Sequence, residues 1–149
     1  MVCLGNICRS PMAESLLASK ISQRPDLEHV EVDSAGTGGW HAGEEPDRRT
    51  RQVLEANGIT RWSRARQFQP GDWEAFDFIV AMDEDNVADL LRTRGARRDK
   101  LSLATSWLRG GEGPVPDPYY GSIGDFEAIF RQLDDITDAM LPVLAKHGR

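Results

Sequence analysis

Cysteine is scarce in this chain, standing only at positions 3 and 8. Two thiols five residues apart make no disulfide framework, which excludes a small stapled secreted domain and leads us to expect a reducing compartment, the cytoplasm. Lysine appears only at 20, 100 and 146, and positive charge of any kind is outweighed: 18 Lys and Arg face 24 Asp and Glu, for a net charge of −6. That balance counts against nucleic acid as a partner and against a polybasic membrane patch. No apolar run approaches the roughly 20 residues of a membrane span. No repeat, linker or low-complexity segment divides the 149 residues, so one domain with a sizeable core is expected, working as a monomer. A leader peptide is not expected, because the first motif opens at residue 3.

That motif is Cys3-Leu4-Gly5-Asn6-Ile7-Cys8-Arg9-Ser10-Pro11. Pro11 suits the first turn of a helix, where its missing N–H goes unneeded, and Ser10 before it predicts a hydroxyl cap. The residues between Cys3 and Arg9 then form a short loop feeding a helix N-terminus. Such a loop turns backbone N–H groups inward and adds the partial positive charge of the helix end. It predicts a cradle for a phosphate-like oxyanion built from Leu4, Gly5, Asn6, Ile7, Cys8, Arg9 and Ser10. Arg9 adds a planar fork that grips two oxygens. Cys3 at the base, as thiolate, is placed to attack a bound phosphoryl group.

Along the chain, apolar spacing predicts a helix to about residue 22 and, from the alternating Val30 and Val32, a strand over 27–32. A glycine-rich loop, 33–43, carries Trp40 at its tip, which can wall a pocket for a flat ring. Pro46-Asp47 starts a helix that Gly58 ends. Residues 76–82 read as a buried parallel strand. Asp83, Glu84 and Asp85 then cap a helix in preference to binding a metal. Residues 100–103 read as the fourth strand, after a first strand near 1–5. In the last helix Phe126, Ile129, Phe130, Leu133, Ile136, Met140, Val143 and Leu144 form one stripe, with a kink expected at Pro142. Alternating strands and helices predict an α/β fold, with a four-stranded parallel sheet, helices on both faces, and a ligand at the carboxyl end of a strand. Only Met1 and Val2 precede the nucleophile where a buried strand usually runs five or six residues. The first strand is therefore truncated in this chain, and the natural start is expected upstream.

Between the last strand and helix lies an irregular segment, 109–121. A loop of that length inside one domain points to function or disorder. Pro116 and Pro118 bracket Asp117 and hold its backbone extended, the support a positioned proton donor needs.

Cys-x5-Arg-Ser, within CLGNICRSPMAE, resembles the signature of the low-molecular-weight protein tyrosine phosphatases. SAGT, WHxG and PDxR further on, and Asp-Pro-Tyr-Tyr-Gly at 117–121, resemble the same family. The resemblance implies hydrolysis of phosphotyrosine in protein substrates through a phosphocysteine on Cys3. It gives Arg9 the phosphate, Asp117 the role of general acid and base, and no metal or cofactor. It also implies that Asn6 and Ser34 brace the loop and that Trp40 lines the crevice with Tyr119 and Tyr120. Ser10 can donate to the Cys3 sulfur. Cys8 lies in the same loop, where peroxide could link it to Cys3 as a disulfide. One departure is Ser63, where relatives usually carry histidine; a polar contact is expected to be lost there. Rival readings are an arginine phosphatase, which typically has Thr at the position of Ile7 and lacks the paired tyrosines; an arsenate reductase, which needs further cysteines; and a non-catalytic phosphate- or phosphopeptide-binding module.

Overall fold

Two short central strands organise the chain. In the computed structural model, which describes residues 1–148, β1 (Val2–Cys3) lies between β2 (Ala35–Gly36) and β3 (Ile79–Ala81), with β4 (Leu101–Leu103) beyond β3. All pairings are parallel, and Val2 stands opposite Ala35 on one side and Ala81 on the other. Side chains alternate across a strand. Cys3, Val80 and Met82 therefore enter a large core with Met12, Leu54 and Phe126, while Val2, Ile79 and Ala81 enter a smaller one with Phe68, Trp73 and Leu90. The sheet is thus covered on both faces. On one lie α1 (Arg9–Ser22), α2 (Arg48–Ala56) and α5 (Ile123–Lys146), which pack on each other; α3 (Asp72–Ala75) and α4 (Glu84–Leu91) supply Trp73 and Leu90 to the other.

The helix boundaries follow side-chain chemistry. Asp47 caps α2 by accepting the Arg49 N–H at 2.8 Å, and Gly58 follows it with φ +77°, a backbone favourable to glycine. Asp83 caps α4 through the Asn86 N–H at 2.8 Å. At the start of α5 the Asp125 carboxylate accepts the Ser122 N–H at 2.9 Å.

Four expectations are corrected. Residues 27–32 do not form a strand: Pro25–Leu27 is a 3-10 turn, and β2 begins only at Ala35. The alternation of Val30 and Val32 reflects their packing against the large core, whereas the ladder partner β1 first meets this region at Ala35. The first strand is Val2–Cys3 rather than 1–5, since the chain turns into the loop at Leu4, whose carbonyl accepts the Gly38 N–H at 2.9 Å. The first helix starts at Arg9, with Cys8 at its cap position and no side-chain cap, so the Ser10 hydroxyl is not a cap. In α5, which continues as helix through Pro142, Val143 is exposed and Phe130 only partly buried, while Thr137, Leu141 and Ala145 are buried, so the buried seam is shifted from the expected stripe.

A cleft of ≈ 330 Å³ opens at the amino ends of the strands, beside Met1, Val30, Val32, Phe76 and Phe78. The Met1 ammonium there donates to the Asp33 carbonyl at 3.0 Å. Burial lowers its pKa from 8.0 to about 6, against the opposing pull of Glu14 and Asp33. A cation with a depressed folded pKa binds fewer protons folded than unfolded between these two values. For the polypeptide that starts at Met1, stability should therefore rise with pH across this window, by roughly 2–3 kcal/mol for a shift of about two units. Urea midpoints at pH 6 and pH 8 measure the rise, and N-terminal acetylation should flatten it.

Candidate active site

β1 delivers Cys3 to the carboxyl end of the sheet, and the loop from Leu4 to Cys8 wraps above it before α1 begins. The Cys3 carbonyl at the end of β1 and three loop carbonyls are turned outward to fixed donors. Cys3 O accepts from Thr37 N at 2.9 Å, Leu4 O from Gly38 N at 2.9 Å, Ile7 O from Asp47 N at 2.7 Å, and Cys8 O from the Thr50 hydroxyl at 3.3 Å. In a planar trans peptide the following N–H points opposite the carbonyl. The amides of Leu4, Gly5, Cys8 and Arg9 therefore aim inward, around the space above Cys3. Gly36 makes the close approach possible: a Cβ there would lie 2.8 Å from the Leu4 carbonyl oxygen.

The tight turn sits on Asn6, whose φ of 57° is left-handed, a region costly for most side chains. Its buried amide offsets that cost. Nδ2 donates to Ser10 Oγ at 2.7 Å and Ser34 Oγ at 2.9 Å, and Oδ1 accepts from Arg66 N at 3.0 Å. Ser10 Oγ in turn lies 2.9 Å from Cys3 Sγ. Starting the helix at Arg9 is what frees this hydroxyl for the sulfur. Ser34 passes the chain to the buried Glu14, donating at 2.6 Å. Ser63 also donates to Glu14, at 2.7 Å, so the polar contact expected to be lost is present.

Arg9 is buried, and its charge is anchored from two sides. NH1 donates to Asp83 Oδ2 at 2.5 Å and to the Val115 carbonyl at 3.0 Å. NH2 faces Asp117 Oδ2 at 3.8 Å. Val115 is itself pinned, its N–H donating to the Met82 carbonyl at 2.8 Å, which brings the 109–121 loop to the end of β3. Asp117 is exposed, and its Oδ1 accepts the Tyr119 N–H at 3.0 Å. Asp117 is thus brought from a distant segment to Arg9, which shares one short loop with Cys3.

At the rim, Trp40 lies against bare backbone: a Cβ on Gly38 would meet its ring at 1.8 Å. The His41 ring sits over Gly5 and holds Glu44 through Nδ1 at 2.7 Å. Tyr119 and Tyr120 meet edge to face with centroids 5.0 Å apart. Tyr119 is 40% exposed but Tyr120 99%, so Tyr120 stands at the mouth in solvent rather than in a wall. Leu4, 41% exposed, adds an apolar edge. Among the described residues no group of His, Cys, Asp and Glu is arranged to hold a metal ion.

The family model for low molecular weight phosphotyrosine protein phosphatase matches residues 1–149. The chain belongs to this family. A low molecular weight protein-tyrosine-phosphatase of Streptomyces coelicolor is 41% identical over 145 residues, covering 94% of this chain and 88% of the relative. YfkJ from Bacillus subtilis superposes with a TM-score of 0.89 at 35% identity, covering 99% of this chain and 94% of that one. An arginine phosphatase, YwlE from Geobacillus stearothermophilus, superposes at 0.86 with 30% identity over 96% of this chain and 89% of its own.

Within this phosphatase scaffold, sequence spacing pointed to Asp83 only as a helix cap. Its Oδ1 does cap α4, but its Oδ2 holds Arg9. Glu14 and Arg49 lie within the strings CLGNICRSPMAE and PDxR, but nothing local announced their partners Ser34, Ser63, Tyr119 and Gly121, which lie far along the chain. Cys8 is buried in the large core; that burial, with the charges of Asp47, Cys3 and Asp117, pushes its thiol well above the ordinary range. Asn6→Ala should destabilise the protein by about 1–3 kcal/mol, because the left-handed turn keeps its strain and buried hydroxyls lose their partner. It should also weaken phosphate binding. Urea unfolding with and without inorganic phosphate measures both.

Proposed function

We propose that this protein-tyrosine phosphatase acts by two displacements at phosphorus, with Cys3 as nucleophile, Arg9 as phosphate grip and Asp117 as general acid and then base. The observation that carries the reading is the convergence of Cys3 Sγ, the buried Arg9 and the Asp117 carboxyl at one end of the sheet. Inward amides and the Arg9 guanidinium hold the three equatorial oxygens as charge spreads over them. Cys3 sulfur bonds to phosphorus as the bond to the tyrosine oxygen breaks, and Asp117 supplies that oxygen with a proton. Water then attacks the phosphocysteine and yields its proton to Asp117; the thiolate departs toward the Ser10 hydroxyl, and inorganic phosphate is released. Trp40, Tyr119 and Leu4 set the depth of the entrance. A phosphotyrosine ring spans that depth, whereas a phosphoserine oxygen stays too far from the sulfur. The same chemistry requires no cofactor.

The substrates proposed are phosphotyrosine proteins, met by a monomer in the cytoplasm. Two cysteines held as free thiols fit a reducing compartment, and among the described residues no helix is long and apolar enough to cross a membrane. Turnover of a phosphotyrosine peptide beside phosphoserine and phosphoarginine peptides tests the substrate class. Hydrolysis of phosphotyrosine alone, abolished by Cys3→Ser and slowed ~10²–10⁴-fold by Asp117→Asn, is expected. A preference for phosphoarginine would move the substrate class, and phosphopeptide binding without turnover would leave a binding module.

Cys8 is proposed as a resolving thiol. Peroxide converts the Cys3 thiolate to a sulfenic acid; the Cys8 thiol then displaces water and forms a disulfide. After peroxide treatment the native protein should regain activity with dithiothreitol, while Cys8→Ser should pass to irreversible oxidation and stay inactive. Equal recovery of the two would remove Cys8 from this role.

A further inference from the structure

Arg49 makes more cross-segment bonds than a surface arginine needs. Its Nε and NH2 grip Asp47 Oδ1 and Oδ2, each at 3.0 Å. From the same guanidinium, NH2 donates to the Tyr119 carbonyl at 2.9 Å and NH1 to the Gly121 carbonyl at 3.0 Å. The plane lies over the Phe126 ring, 4.3 Å from its centroid. Asp47, on the other side, donates its N–H to the Ile7 carbonyl of the phosphate loop at 2.7 Å. Burial alone would raise the Asp47 carboxyl, but the side-chain and backbone bonds from Arg49 hold it below its ordinary value. A continuous strut therefore runs from Ile7 through Asp47 and Arg49 to Tyr119. The Tyr119 N–H is the group that fixes Asp117 Oδ1. Asp117, Tyr119, Tyr120 and Gly121 are exposed, and of residues 117–121 Pro118 alone is buried, so packing holds this stretch at one point.

We propose that Arg49 is a positioning residue for the general acid, locking the backbone that carries Asp117 to the phosphate loop so that the free carboxyl oxygen meets the leaving oxygen. The proposal rests on the assignment of Asp117 as that acid. It commits to a planar fork: lysine, a point charge, cannot span Asp47 and two carbonyls at once. It also separates Arg49 from phosphate binding, since Arg49 acts only on the step that needs a proton. A tyrosine-like phenolate, with a conjugate acid of pKa about 10, needs that proton; a dinitrophenolate does not.

Single-turnover release of the two phenols from their monophosphates reads the difference. Arg49→Met, which keeps an apolar cover on Phe126, should slow release of the unactivated phenol ~10–100-fold while leaving dinitrophenol release within about threefold. Asp117→Asn should show the same pattern more strongly. The double variant should lose no more than Asp117→Asn alone, since the two residues act as one unit. Arg49→Lys serves as the second variant and should reproduce the selective loss even if Arg49→Met does not fold. Equal slowing of both phenols by the Arg49 variants, or a double variant losing the product of the single losses, would overturn the strut. Equal slowing of both phenols by Asp117→Asn would instead overturn the acid assignment beneath it.

Discussion

The architecture turns on one buried charge. The Arg9 side chain is 3% exposed, and a guanidinium removed from water is costly unless its donors are met. Asp83 and the Val115 carbonyl meet them. Satisfying one cation thereby draws together the start of α1, the junction between β3 and α4, and the loop that carries Asp117. The setting of Arg9 and the approach of Asp117 to it are consequences of the same desolvation problem.

A second constraint acts on the loop itself. A strand as short as Val2–Cys3 cannot hold the following loop by ladder bonds alone. The left-handed Asn6, tied to Ser10, Ser34 and Arg66, supplies the rigidity from the side. Outward carbonyls bound by Thr37, Gly38, Asp47 and Thr50 do the rest. The donors are fixed before any anion arrives, so little reorganisation is left for the reaction.

Sequence reading went furthest where chemistry is local. Cys3 to Pro11 placed the loop, the arginine and the helix in one reading, and the prolines around Asp117 marked the segment that reaches Arg9. Helix limits at Asp47, Gly58 and Asp83 were legible because capping acts over three or four residues. The second strand was not. Alternation at Val30 and Val32 reports burial, and burial against a core looks like burial in a sheet until the partner strand is known. Ser10 was misjudged because a capping hydroxyl and a hydroxyl aimed at sulfur leave the same trace in sequence. Asp83 on Arg9, Arg49 on Tyr119 and Ser63 on Glu14 span 49 to 74 positions, beyond any periodic or spacing signal.

The indole of Trp40 resting on the naked backbone of Gly38 separates two kinds of evolutionary freedom. A methyl group at position 38 would displace the ring without touching sulfur, guanidinium or carboxyl. The shape of the entrance can therefore drift through a residue that contributes no chemistry, while the reacting groups below stay fixed. In such a scaffold, diversification of what is admitted and preservation of what is done to it are written at different addresses.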